Sequence, residues 1–137
     1  MASLSLSHTQ MYDVYCKEVR SILEYGVAVW HPGLTRKDSM EIERIQRLAF
    51  QMILKTKYVD YKMACIYFKT TTLAERREKL CLTFATRNLK CKNSFFDPIE
   101  PKSMNTRARN GKVKSFKCRT ARYEKSSLPY MAKLLNR

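Results

Sequence analysis

Apolar residues recur every three or four positions along the first two thirds of the chain, and this spacing most constrains the fold. In the first such segment they are Met11, Tyr12, Val14, Tyr15, Val19, Ile22, Leu23 and Val27. An α-helix places residues at that spacing on one face, whereas a half-buried strand needs strict alternation. The segment is therefore predicted to be an amphipathic helix that ends at His31-Pro32-Gly33.

Three further helices are predicted after this turn. The second begins at Thr35 or Ser39, both good capping residues, and its apolar stripe is Ile42, Ile45, Leu48, Ala49, Met52 and Ile53. The third is a shorter segment at residues 58–68. The fourth opens with Thr72-Leu73-Ala74-Glu75, a capping box in which Glu follows Thr by three residues. Its apolar residues are Leu73, Leu80, Cys81, Phe84, Ala85 and Leu89.

The sequence predicts a mainly α fold: a four-helix body at residues 1–91 and a basic, partly extended C-terminal extension at residues 92–137. A length of 137 residues suits one domain, so we expect the extension to pack on the body. The presence of only 3 Gly and 4 Pro argues against a β fold rich in tight turns. The extension differs in charge, since residues 92–137 carry twelve Lys and Arg against three Asp and Glu.

The apolar runs and the cysteines indicate the compartment. The longest apolar runs, such as residues 27–30 and 64–68, are far shorter than the about 20 residues of a membrane-spanning helix. The first ten residues have neither the basic start nor the apolar stretch of a signal peptide. The 5 Cys are irregularly spaced, which favours reduced thiols over a disulfide framework. We expect an intracellular protein, nuclear or cytoplasmic, with no membrane partner.

Residue patterns typical of catalysis are missing. His8 and His31 have no Ser or Cys partner at the spacing of a known triad, and no Cys-x-x-Cys pair indicates zinc. Cys65 and Cys81 lie on apolar faces and are predicted to be core residues. The aspartates are isolated, whereas two-metal phosphoryl transfer needs paired carboxylates. We therefore expect no catalytic site, no metal and no cofactor, and no enzyme activity from this chain by itself.

The C-terminal extension alternates cations with aromatic rings, which is typical of nucleic-acid binding. The candidate residues are Arg107, Arg109, Lys112, Lys114, Phe116, Lys117, Arg119, Arg122, Tyr123 and Lys125. Cations contact phosphates without reading sequence, and aromatic rings stack on unpaired bases. The net charge of +15 favours RNA, DNA or an RNA–DNA hybrid as the partner. The alternative is a solvated basic tail that keeps the protein soluble.

The fourth helix also carries cations, at Arg76, Arg77 and Lys79, beside Glu75 and Glu78. Mixed charges at neighbouring positions on a helix form local ion pairs. We therefore predict ion pairs within this helix, with phosphate contact as the alternative.

Four sequence blocks resemble the C-terminal region of non-LTR retrotransposon reverse transcriptases, particularly those of jockey-like elements. Residues 19–26 (VRSILEYG) followed by Val29-Trp30-His31-Pro32 are similar to the family's VRSxLEY…VW block. Residues 42–47 (IERIQR) resemble its IExIQ helix, and residues 73–82 (LAERREKLCL) resemble its LxxRRxxLCL segment. Residues 118–123, with Pro129-Tyr130 and Leu134-Leu135-Asn136, are similar to the end of these reading frames. The blocks occur in the family's order and cover most of residues 12–136.

The resemblance implies a helical thumb and the C-terminal extension that follows the polymerase palm. In that family the thumb holds the template–primer duplex during target-primed reverse transcription. The family's pair of metal-binding aspartates and its endonuclease domain have no counterpart in this sequence. The chain is thus similar to the nucleic-acid-holding end of an RNA-directed DNA polymerase without its catalytic centre.

Two other functions remain open. A thumb separated from its palm exposes apolar surface, and such surface favours association. The chain would then be a protein-interaction module that docks on a polymerase palm supplied in trans, or on another partner. The remaining alternative is a decayed element fragment with no selected function.

Overall fold

The computed structural model describes residues 6–91, 94–98 and 113–137, and these residues are mainly helical, which confirms the predicted fold class. The α-helices are α1 (His8–Val14), α2 (Ser21–Glu24), α3 (Val27–Trp30), α4 (Arg36–Leu54), α5 (Tyr61–Tyr67), α6 (Leu73–Leu89), α7 (Ala121–Glu124) and α8 (Ser127–Leu135). A π-helical turn (Tyr15–Arg20) joins α1 to α2, and 3₁₀ turns follow α3 (His31–Gly33) and α4 (Lys55–Lys57).

The described residues fall into two compact units. The first takes its residues from Met1–Tyr25 and Thr35–Arg77, and the second from Gly26–Leu34 and Glu78–Arg137. Helix α6 therefore contributes its first turn to the first unit and its remaining turns to the second. The division of the chain into residues 1–91 and 92–137 was predicted from composition, and it remains a prediction.

Aromatic rings dominate the core of the first unit. Phe50 of α4 is fully buried, and the rings of Tyr12, Tyr15, Tyr61 and Phe68 surround it at centroid distances of 5.2–6.0 Å. Ala49, Ile53, Leu54, Ala64 and Cys65 complete the buried cluster. Tilted and edge-to-face ring pairs of this kind add to the stabilisation from buried area. The prediction that Cys65 lies in the core is confirmed.

The first predicted helix has a different buried face from the one expected. Tyr15 is buried, but Val14, Val19 and Ile22 are 52%, 40% and 75% exposed. The π-helical turn is wider than an α-helical turn and rotates the side chains that follow it. Gly26 then adopts a left-handed backbone conformation with φ of 61°, which separates α2 from α3.

Helix α4 begins as predicted but also buries an unexpected face. Thr35 caps it, with its hydroxyl oxygen accepting from the Asp38 N–H at 3.2 Å. The buried residues include the polar Gln46, whereas the expected core residues Ile45, Leu48 and Met52 are 40%, 46% and 70% exposed. The predicted apolar stripe is therefore wrong at these three positions. Gln46 is buried in their place, because several polar groups pair with its side chain.

The polar pairing of α4 organises the first unit. The Gln46 side chain accepts a hydrogen bond from the Tyr15 hydroxyl at 3.1 Å and donates to the Tyr61 hydroxyl at 2.9 Å and the Thr71 carbonyl at 3.3 Å. The Tyr61 hydroxyl in turn donates to Glu43. Burial and the nearby Glu43 carboxylate raise the pKa of Tyr61, and burial raises the pKa of Tyr15.

The charges at the start of α6 pair with distant residues rather than with their neighbours. Arg76 forms a two-pronged ion pair with Glu24 of α2, at 2.5 and 3.0 Å. Arg77 is 1% exposed and donates to the Ser39 hydroxyl at 2.8 Å. In the second unit, Glu78 pairs with Arg137. The predicted local ion pairs were therefore wrong, because tertiary contacts supply better-placed partners for these side chains.

The core of the second unit combines residues of α3, α6 and α8 with Phe96 and Val113. Its buried residues are Ala28, Ala85, Phe96, Val113, Met131, Ala132 and Leu135. Cys81, which lies on the same face of α6 as Ala85, is also fully buried, as predicted. Phe84 is 47% exposed, although the sequence predicted it in the core.

Within the described part of the chain, every helix is too short or too polar to cross a lipid bilayer.

Candidate nucleic-acid interface

The predicted interface residues that the structure describes all lie in the second unit. Lys114, Phe116, Lys117 and Arg119 follow one another on an irregular stretch at residues 114–120, and Arg122 and Tyr123 belong to α7, with Lys125 just after it. The other three candidates, Arg107, Arg109 and Lys112, lie outside the described residues. Seven of the predicted residues therefore lie in one described segment, residues 114–125.

Hydrogen bonds anchor the beginning of this basic segment to the core. The Asn136 side chain accepts from the Val113 N–H at 3.1 Å and donates to the Val113 carbonyl at 3.0 Å. Val113 also forms an antiparallel bridge with Pro98, and the Lys114 N–H donates to the Asp97 carbonyl at 2.9 Å. Because Val113 is 1% exposed, the residues after it leave the core from a fixed position.

The two predicted stacking rings have different environments. Phe116 is half-buried and packs edge-on against Phe96, at a centroid distance of 6.4 Å and an interplanar angle of 77°. Its ring therefore helps to hold the segment on the core. Tyr123 is 42% exposed, so its ring is accessible to a base. Its N–H donates to the Thr120 hydroxyl oxygen at 3.2 Å, which caps α7.

The cations of the segment face solvent. Lys117, Arg119, Arg122 and Lys125 are exposed, and no carboxylate among the described residues lies within ion-pair distance of them. Lys114 is the exception, since its ammonium lies 3.7 Å from an Asp97 carboxylate oxygen. Both side chains are largely exposed, and such pairs stabilise a protein little. These cations are therefore available to phosphates.

A second cationic surface runs along the outer face of α6. Phosphate contact is the alternative that the sequence predicts for Lys79 of this helix, but sequence reasoning missed the surface itself. A groove of about 300 Å³ lies there, and its described lining residues are Lys79, Leu82, Thr83, Thr86, Arg87 and Lys90. The sequence carried a signal for this face, because Lys79, Thr83, Thr86 and Lys90 are spaced by four, three and four residues. That spacing places them on the side of the helix opposite the buried Cys81 and Ala85.

Metal-ligand geometry is not found at either surface. The described residues contain no group of three or more His, Cys, Asp or Glu side chains that could hold a metal ion.

The comparisons with known proteins found no match for this chain among protein-family models, curated proteins or solved structures.

Proposed function

We propose that this chain is a nucleic-acid-binding module that holds RNA, DNA or an RNA–DNA hybrid through the basic surface of its second unit. The observation that carries this proposal is the exposure of Lys117, Arg119, Arg122 and Lys125 on a segment anchored to the core, with no carboxylate partner among the described residues. Clustered cations with an accessible ring nearby suit phosphates and unpaired bases.

We further propose that the module is a thumb-like fragment derived from a non-LTR retrotransposon reverse transcriptase, without a catalytic centre of its own. Contacts between the resembling blocks support this origin. Glu43 of IERIQR bonds to the backbone of Leu73 in LAERREKLCL, and Glu24 of VRSILEYG pairs with Arg76. In the second unit, Tyr130 of the last block lies 3.3 Å from His31 of the first. The blocks that carry the resemblance therefore pack on one another within each unit.

Binding across a salt series tests the proposed function. We expect fluorescence anisotropy with labelled single-stranded RNA, duplex DNA and an RNA–DNA hybrid to show affinities whose logarithm falls linearly with log salt. The slope should be about −0.9 per phosphate contact on duplex DNA and about −0.7 on a single strand. A preference for the hybrid would favour the thumb origin. Weak binding to all three ligands that does not change with salt would contradict the proposal.

A triple variant locates the binding surface. We expect replacement of Lys117, Arg119 and Arg122 by Ala to weaken RNA binding from several-fold to about a hundredfold and to lower the salt slope. The matched control replaces the exposed Lys55, Lys57 and Lys62 of the first unit, which removes the same charge. Equal weakening by both variants would show a net-charge effect rather than a binding surface.

A primer-extension assay tests the absence of catalysis. We expect no extension of a primed template with Mg²⁺ or Mn²⁺, because the sequence lacks the paired aspartates that such chemistry needs. Extension that survives purification to homogeneity would overturn this part of the proposal.

A protein-interaction module is the second candidate, and exposed apolar side chains favour it. On α5, Met63, Ile66 and Tyr67 are 57%, 68% and 55% exposed, and Val59 just before the helix is 82% exposed. Apolar clusters of this kind are typical of docking surfaces. The test is binding of a reverse-transcriptase palm supplied in trans. Binding that is lost in Ile66→Asp but kept in the triple cation variant would favour this candidate. A decayed element fragment would show neither activity.

A further inference from the structure

We propose that the α6 groove binds the ribose-phosphate backbone of RNA and prefers it to that of DNA. This inference rests on the proposed nucleic-acid binding and specifies the ligand of a surface outside the predicted basic segment. The α6 groove is the one lined by Lys79, Leu82, Thr83, Thr86, Arg87 and Lys90.

The cations of the α6 groove suit phosphates. Lys79, Arg87 and Lys90 are exposed, and the ion pairs of the described residues do not include them. Lys79 and Lys90 are eleven residues apart, which corresponds to about 16 Å along a helix. A strand of duplex DNA advances by about 3.4 Å per nucleotide, so this length matches about five nucleotides of such a strand. Several phosphates can therefore lie along the groove at once.

The threonine hydroxyls of the α6 groove distinguish ribose from deoxyribose. The Thr83 hydroxyl donates its proton to the Lys79 carbonyl and the Thr86 hydroxyl donates to the Leu82 carbonyl, both at 2.8 Å. A hydroxyl has one proton and two lone pairs, so each oxygen offers only acceptor sites to a ligand. A phosphate oxygen is also an acceptor and gains nothing there. The ribose 2′-hydroxyl is a donor, and it lies between the phosphates of an RNA strand.

The rest of the described lining of the α6 groove is apolar and fits a sugar. Leu82 is 40% exposed, and the threonine methyl groups and the alkyl stems of the lysines line the same surface. The groove thus presents cations for phosphates, acceptors for 2′-hydroxyls and apolar surface for the carbon face of ribose. An acidic peptide would satisfy the cations but would leave the threonine acceptors without a dedicated donor.

Three oligonucleotides of one sequence test this inference: RNA, DNA and 2′-O-methyl RNA. The 2′-O-methyl group removes the donor proton and keeps the 2′-oxygen. We expect the wild-type chain to bind RNA about threefold to tenfold more tightly than either analogue, as one or two added hydrogen bonds imply. Equal affinity for RNA and 2′-O-methyl RNA would overturn the inference.

Threonine variants assign the preference to the groove. The double variant Thr83→Val with Thr86→Val keeps the side-chain shape and removes both hydroxyls, so it should bind the three oligonucleotides equally. The control Thr83→Ser with Thr86→Ser retains the hydroxyls and should retain the preference. A preference for RNA that survives in the valine variant would overturn the inference. Circular dichroism confirms that both variants are folded.

A cation variant completes the test. Replacement of Lys79, Arg87 and Lys90 by Ala should weaken RNA binding about tenfold or more and lower the salt slope by about 0.7 for each lost contact. Unchanged RNA affinity would overturn the inference while leaving the proposed function standing. Absence of binding to any oligonucleotide in the wild-type chain would overturn both proposals, so the two failures are distinguishable.

Discussion

The carboxylate of Glu43 accepts a hydrogen bond from the backbone N–H of Leu73 at 3.0 Å, and a second one from the neighbouring Ala74 N–H at 3.1 Å. The first N–H groups of a helix have no partner within the helix, and a negative charge there also interacts favourably with the helix dipole. Helix α4 therefore caps α6 with a side chain that lies thirty residues earlier in the chain. Of the capping box predicted within residues 72–75, the structure shows the Thr72 hydroxyl oxygen accepting from the Glu75 N–H at 3.2 Å, and the tertiary contact from Glu43 supplements it.

Removal of this cap should destabilise the first unit. We expect Glu43→Ala to lower the free energy of unfolding by about 2 kcal/mol or more, because two backbone donors and the Tyr61 hydroxyl lose a charged acceptor. Glu41→Ala on the same helix is the control. Its ion pair with Arg44 is 3.6 Å long and largely exposed, so the loss should be below about 0.5 kcal/mol. Urea denaturation measures both, and equal losses would contradict the assigned role.

The buried side-chain amide of Gln46 should contribute strongly to the free energy of unfolding. Gln46→Leu removes hydrogen bonds to three elements of the first unit and leaves the Tyr15 hydroxyl and the Thr71 carbonyl without this partner. We expect a loss of about 2–4 kcal/mol, since unsatisfied buried polar groups are costly. The exposed Gln51 on α4 provides the control, and Gln51→Leu should change the stability by less than about 0.5 kcal/mol.

Alkaline pH should destabilise the chain through Tyr61. Its folded-state pKa lies above the ordinary value of 10.0 because of burial first and the Glu43 carboxylate second. Above about pH 10 the unfolded chain loses the phenolic proton that the folded chain retains, so the free energy of unfolding falls as pH rises. We expect Tyr61→Phe to reduce this fall. Identical pH profiles for wild type and Tyr61→Phe would refute the assignment.

The amide of Asn136 should control local opening of the basic segment. Asn136→Ala removes both side-chain hydrogen bonds to Val113. We expect the Val113 amide to exchange its hydrogen about tenfold to a hundredfold faster, as in local opening, while amides in the middle of α8 stay protected. Hydrogen-exchange mass spectrometry with peptide resolution measures this. Unchanged protection at Val113, or equal loss of protection across α8, would show that the anchor lies elsewhere.

Local signals in the sequence were sufficient for the positions of α4, α5 and α6, whereas α7 and α8 lie in the region that was predicted to be partly extended. Thr35, one of the two predicted caps, caps α4, and Pro32 and Gly33 end the first helical region in a 3₁₀ turn. The segment of predicted interface residues from Lys114 to Lys125 was also evident, because its charge density is visible without a structure. The α6 groove was missed because its residues are separated by full helical turns and their neighbours carry both charge signs.

The sequence by itself determined the helical class, the candidate caps of α4 and α6 and the concentration of positive charge, because these depend on residues close together in the chain. The tertiary structure decided which faces are buried. Hydrophobicity predicted Ile45 and Leu48 in the core, yet Gln46 lies there because Tyr15, Tyr61 and Thr71 converge on it. The tertiary structure also determines that Arg76 pairs with Glu24 and that Phe116 packs on Phe96. Burial of a polar or charged group depends on partners that the fold brings together from distant positions, and local spacing does not contain that information.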